Sequence, residues 1–260
     1  MTLLLKLTLA PTFVAGISLA GRRWGPLVAG WLAGLPVVAG PILYIYALEQ
    51  GPGFAAGAAL STLTGLLSLG AFCLVYAWLS EKFSWPWCLL AGWASFLGAT
   101  VAFRPLSWPL WLALPGVFAG IGLILRFLPA ADAPVAKNTP TRWDLPLRMG
   151  SAAVLVLALT GAAAWLGPTW SGLLTPFPVA TSVLAVFSHV GLGRGGAIAL
   201  LRALLGGLFG FSVFCALVAA LLPSWGLAGA FALGLLGCSL VNGAGYLFSR
   251  RALERSASNG

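Results

Sequence analysis

Long apolar stretches separated by short polar or turn-forming breaks run the length of the chain. Nine stretches, 3–20, 27–47, 54–79, 85–103, 110–128, 147–166, 171–189, 196–222 and 227–247, approach or exceed the length needed to cross a hydrocarbon core, about 20 residues. The breaks between them carry helix-ending and interfacial residues: Gly21 to Pro26, Gly51 to Gly53, Ser80 to Lys82, Arg104 with Pro105, Gly167 with Pro168, and Gly191 to Gly193. The stretch 129–146, with Asp132, Lys137, Asn138, Arg142, Asp144 and four prolines, reads as the only real linker. The pattern predicts an all-α polytopic membrane protein of about nine transmembrane helices.

Composition agrees. Of 260 residues, 60% are hydrophobic and 7% charged, with a mean hydropathy of +0.99, against about 25% charged in soluble domains. A water-soluble fold cannot hide that much apolar surface, so lipid must be the main solvent. The first stretch, where Lys6 precedes apolar sequence to Ala20, has the length of a cleaved signal peptide. It has a counterpart later in the chain, however, and so reads as a helix. The four cysteines, Cys73, Cys88, Cys215 and Cys238, lie inside apolar runs without C-x-x-C spacing, which suggests packing rather than disulfides or zinc.

Charge sets the expected orientation. Fourteen Lys and Arg face five Asp and Glu, a formal charge of +9. No basic stripe interleaved with aromatics accompanies it, so nucleic acid is not an expected partner. With nine spans, Arg22, Arg23, Lys82, Arg126, Lys137, Arg142, Arg148, Arg194, Arg202, Arg250, Arg251 and Arg255 fall on one side, and Lys6 and Arg104 on the other. Positive loops stay cytoplasmic, which predicts a bacterial inner-membrane protein with its N-terminus outside and its C-terminus inside. Trp24, Trp85, Trp87, Trp108, Trp143, Trp170 and Trp225 lie near span ends, as interfacial belts require.

Shifting the chain by 142 residues against itself reveals a repeat. Sixteen of the 55 positions from 25 to 79 are identical, including Gly25/Gly167, Pro26/Pro168, Pro36/Pro178, Gly51/Gly193, Gly65/Gly207, Phe72/Phe214 and Cys73/Cys215. Lys6 lands on Arg148, and after a shorter loop Leu90-Ala91-Gly92 meets Leu227-Ala228-Gly229. The expected division is a first four-helix repeat at 1–103, a fifth helix and linker at 104–146, and a second repeat with the C-terminal tail at 147–260. One odd helix between two four-helix units inverts the second unit. Inverted repeats are a common plan of secondary transporters, with the site at the repeat interface.

The second helix of each repeat is the expected site. Pro36 and Pro41 interrupt the first, Pro176 and Pro178 the second. A proline removes an internal hydrogen bond and frees carbonyls, which lipid cannot solvate. Pro36 lies nine residues into its span, roughly 14 Å deep, and Pro178 at the matching depth from the other face. Ser171, Thr175 and Thr181 would add hydroxyls where the first repeat has alanines, and His189 and Arg202 would add cationic groups near the cytoplasmic edge. Gly57, Ser61, Thr64, Gly65 and Ser68 on the third span, and Gly206 and Gly210 on the eighth, mark close helix contacts. No acidic residue lies deep in a span, and no Ser/His/Asp grouping, metal-ligand cluster or phosphate loop is evident, so neither enzyme chemistry nor a cofactor is expected.

The leading expectation is a transporter of a small substrate, anionic or lipid-like, by alternating access. The alternative is a non-catalytic membrane subunit assisting a lipid or polysaccharide pathway. Membrane lipids, the substrate itself and a second copy of the chain in a homo-oligomer complete the expected partners.

Overall fold

The computed structural model describes residues 2–36, 39–104, 108–130, 143–154 and 177–258. Among the described residues the chain is helical and contains no strand. The elements are α1 (Thr2–Trp24), α2 (Pro26–Ala33), α3 (Ala39–Glu49), α4 (Pro52–Leu79), α5 (Trp85–Phe103) and α6 (Leu110–Phe127). A helical segment over 144–154, α7, and the run α8 (Val179–Ser258) follow. Non-helical backbone at Gly193 and Gly226 divides α8 into three arms, 179–192, 194–225 and 227–258. α4, α5, α6 and the Val179–Gly245 run are each long and apolar enough to cross a membrane.

Single glycines make the sharpest connections. Gly25, Gly51, Gly193 and Gly226 have φ of 92°, 88°, 74° and 68°, with ψ close to 180° at each. Only glycine enters that region at low cost. Proline follows at Pro26 and Pro52, where its fixed φ suits a first helical position. The chain turns back at once: Gly21 of α1 lies against Ala29 of α2, and Tyr46 of α3 meets Phe54 of α4 edge to face, 5.5 Å between centroids.

α4 is the central helix, packed on α3, α5, α6 and α8. In its most apolar window 67% of residues are buried, against 22% in α5 and 17% in α6. An apolar helix that is covered on all sides belongs to the core, whereas α5 and α6 turn broad faces outward. Trp24, Trp85, Trp87, Trp143 and Trp225 are exposed, as the interfacial reading expects. Trp108 instead folds onto Gly116 of α6, and Trp170 lies outside the described residues.

One end of the bundle collects the basic groups. Asp144, opening α7, bonds Arg22 of α1 at 2.6 Å and Arg148 at 3.0 Å. Arg148 also lies over the Phe187 ring, 4.7 Å from its centroid. Trp78 Nε1 donates to the Phe127 carbonyl at 2.8 Å. Arg202 donates to the carbonyls of Leu125, Leu128 and Pro129. The last turn of α6 thereby finds partners for carbonyls that a helix end leaves open, and a cation sits at the negative end of its dipole.

Candidate functional site

α2 ends at Ala33, and the chain resumes as α3 at Ala39. Across the interruption Gly34 N–H reaches the Gly30 and Trp31 carbonyls, Leu35 N–H reaches Leu32, and Gly40 N–H reaches Pro36 at 2.7 Å. Pro36 is buried and Pro41 half-buried. The helix therefore breaks where the proline removes a donor, and protein covers the break.

Its neighbour is the second arm of α8. A Cβ on Gly34 would stand 2.7 Å from Gly207 Cα and from the Leu204 carbonyl, and one on Gly30 would strike the Leu200 carbonyl. Backbone meets backbone here, which only small residues permit. Ala203 and Gly207 supply the small positions on the α8 side. Gly206, singled out by spacing, has nothing within 4 Å of its Cβ position, and Gly210 packs on Asn242 instead. Gly57 on α4 is likewise open, while Gly65 and Ser68 are buried.

The second interruption has other neighbours. Phe177 and Pro178 are non-helical and Pro178 is buried. The Pro178 carbonyl accepts from Ser182 N–H at 2.8 Å, opening the first arm of α8. The Phe177 ring packs on Phe96 and Trp93 of α5, with centroids 5.3 and 5.9 Å apart. Trp93 Nε1 donates to Ser182 Oγ at 2.9 Å, and Thr181 beside it is buried. One turn short of the arm's end, His189 Nδ1 lies 3.4 Å from Tyr76 Oη on α4.

The structure thus brings Pro178, Thr181 and His189 onto one arm facing α4 and α5, and Pro36 and Pro41 onto an interrupted pair facing α8. Arg202 is drawn to the α6 carbonyls. Ser171, Thr175 and Pro176 lie outside the described residues. Trp93 and Ser182, the polar contact nearest the second break, carried no motif in sequence.

The surroundings are apolar with scattered hydroxyls. Ser68 and Thr100 are buried with side-chain oxygens that have no protein partner, as has the Asn242 carbonyl oxygen. Thr62 and Ser212 bond back to carbonyls of their own helices. Among the described residues no three His, Cys, Asp or Glu side chains gather to hold a metal. Such an environment offers hydrogen bonds and small dipoles rather than fixed charge. No protein-family model, curated protein or solved structure matches the chain.

Proposed function

We propose that the chain is a transporter of a bacterial inner membrane, built from two inverted four-helix repeats. It moves a small anionic or lipid-like substrate by alternating access. The observation that carries the reading is the pair of helix interruptions at Pro36 and Pro178. They are 142 residues apart, and both prolines are buried in protein rather than turned to lipid.

Several further observations support the duplication. The strained glycines Gly51 and Gly193 share the 142-residue offset. So do two glycine seats: a Cβ on Gly92 would stand 2.8 Å from the Phe72 ring, and one on Gly234 would stand 2.9 Å from the Phe214 ring. That pairing carries the register past residue 79 without a gap, in place of the Gly92/Gly229 match that sequence alone suggests. Thr100 and Asn242, each buried with an unpartnered oxygen, also fall 142 apart.

Counted as nine crossings, α2 and α3 are the second, and the arms of α8 are the seventh, eighth and ninth. Crossing 2 meets crossing 8 through Gly34 and Gly207, and crossing 9 through Tyr44 and Phe231, 5.3 Å apart. Crossing 7 meets crossing 3 through His189 and Tyr76, and crossing 4 through Ser182 and Trp93. Exchanging the repeats turns one set of contacts into the other, as a pseudo-two-fold arrangement requires. Substrate would pass beside crossings 2 and 7, at the two helix interruptions, where Thr181 and Ser182 supply hydroxyls. The end gathering Arg22, Arg148 and Arg202 would be cytoplasmic.

Accessibility tests this without a known substrate. Cysteines replace Leu35 and Ser182 singly, after Cys73, Cys88, Cys215 and Cys238 are changed to alanine. A membrane-impermeant thiol reagent is then applied to right-side-out and to inside-out vesicles. Alternating access predicts labelling of both positions from both sides. Labelling from neither side overturns transport and leaves the non-catalytic subunit.

A further inference from the structure

We infer that the outer face shared by α1 and α7 binds the phosphate of an anionic phospholipid, with its acyl chains lying along the two helices below. The charge is built in. Arg22 and Arg148 share the single carboxylate of Asp144. Arg23, next in sequence, lies over the Trp24 ring at 5.9 Å. Among the described residues, three guanidiniums against one carboxylate leave a local charge of +2. Arginine forks suit phosphate oxygens, and Asp144 occupies only part of the donor capacity of two of them.

The surroundings of these arginines argue for a lipid. Trp24 and Trp143 flank the arginines and are 63% and 59% exposed, and such indoles mark the head-group level. Three residues from each end of the Arg22–Asp144 pair stand Leu19 and Leu147, one helical turn deeper on the same faces. Both are exposed, and Val154 continues the apolar path along α7. Farther in, Val14 of α1, Ala152 of α7 and Val183 of α8 form one buried cluster that holds the helices together. A basic patch shared by two helices, above exposed apolar side chains, has the chemistry that recognises an anionic head group.

Native mass spectrometry of the purified full-length chain, titrated with phosphatidylglycerol or phosphatidylcholine, tests the site. Phosphatidylglycerol is expected to be retained preferentially. R23Q, which breaks no ion pair among the described residues, should weaken it about fivefold, the change expected for one interfacial guanidinium. K82Q, in the exposed turn between α4 and α5, should change nothing. D144N removes the competing carboxylate and should tighten binding, whereas a purely structural ion pair predicts no gain. Equal retention of phosphatidylcholine, or equal losses in R23Q and K82Q, overturns the site. Displacement of the lipid by inorganic phosphate at matching concentration would also overturn it, in favour of a free-anion site.

Discussion

Gly34→Ala is the sharpest probe of the packing that seats the first helix interruption. The new methyl would lie 2.7 Å from Gly207 Cα and from the Leu204 carbonyl oxygen, where ordinary contact begins near 3.4 Å. Both obstacles are backbone, so no rotamer change relieves them, and the helices must separate by about 0.7 Å, the difference of those two distances. Overpacking of this kind costs roughly 1–3 kcal/mol. The gain in helix propensity returns about 0.5–1 kcal/mol, and Gly34 sits at a helix end where that gain is smallest. A net loss of about 1–2 kcal/mol corresponds to a melting temperature lowered by roughly 2–8 °C in a protein of this size. Thermal unfolding in detergent, followed by circular dichroism, measures it. Gly206→Ala is the control: it lies on the same arm with nothing within 4 Å, and should melt at or above the parent. If Gly34→Ala melts with Gly206→Ala, the backbone contact does not hold the seam and the argument from it fails.

Arg202→Gln should cost about 1.5–3 kcal/mol, as charged hydrogen bonds do, by taking charge from the Leu125, Leu128 and Pro129 carbonyls; Arg202→Lys should recover part of the loss in the same melt. Asp144 gives the acid limb of stability. Burial works against its carboxylate, but hydrogen bonds from Arg148 and Arg22, together with their charges, outweigh burial and hold it below the usual carboxylate range. The unfolded chain then binds the proton more readily. The contribution of Asp144 is therefore complete above the ordinary carboxylate range and lost as pH falls through its lowered value, and D144N should flatten that limb in a melting series from pH 7 downward, a window set by the carboxylate reference value of about 4. Gly193→Ala should cost about 1–3 kcal/mol, because alanine tolerates the backbone there poorly; unchanged melting would mean that the arms of α8 join through another conformation.

Much of the helical plan was legible because lipid imposes a coarse rule. Apolar length predicts a crossing, and Gly-Pro pairs at 25–26 and 51–52 predict its ends. The interruption near Pro36 was legible for the same reason, since proline acts on its own helix. Contacts between helices were not. Spacing selected Gly206 with Gly210, yet the seam uses Ala203 and Gly207, because small residues are common along this helix and only the rotation of its neighbour decides which of them is covered. The partners of Arg202 were hidden for a similar reason: a cation inside a span needs a partner, and sequence could not show that the end of α6 provides carbonyls for it. Trp93 and Ser182 were invisible, being one indole among twelve and one hydroxyl among many.

On the proposed duplication, the seats at Gly92 and Gly234 show how sequence identity and structural correspondence can part. Identity alone favoured a shortened loop, because Leu-Ala-Gly recurs at 90–92 and 227–229. The Gly229 position, however, meets only Trp225 of its own turn, whereas Gly234 receives the ring of Phe214 as Gly92 receives that of Phe72. A ring pressed onto a glycine constrains both partners, since any larger residue at the glycine forces the ring or the helix to move. Leu, Ala and Gly in series constrain nothing so specific. When a register in so apolar a chain must be chosen, a pair of residues that fit one another outweighs a run of residues that merely match. That criterion places Thr100 opposite Asn242 and Ser68 opposite Gly210. On that register Asn242 and Gly210, with the amide 2.5 Å from the glycine's Cβ position, correspond to Thr100 and Ser68.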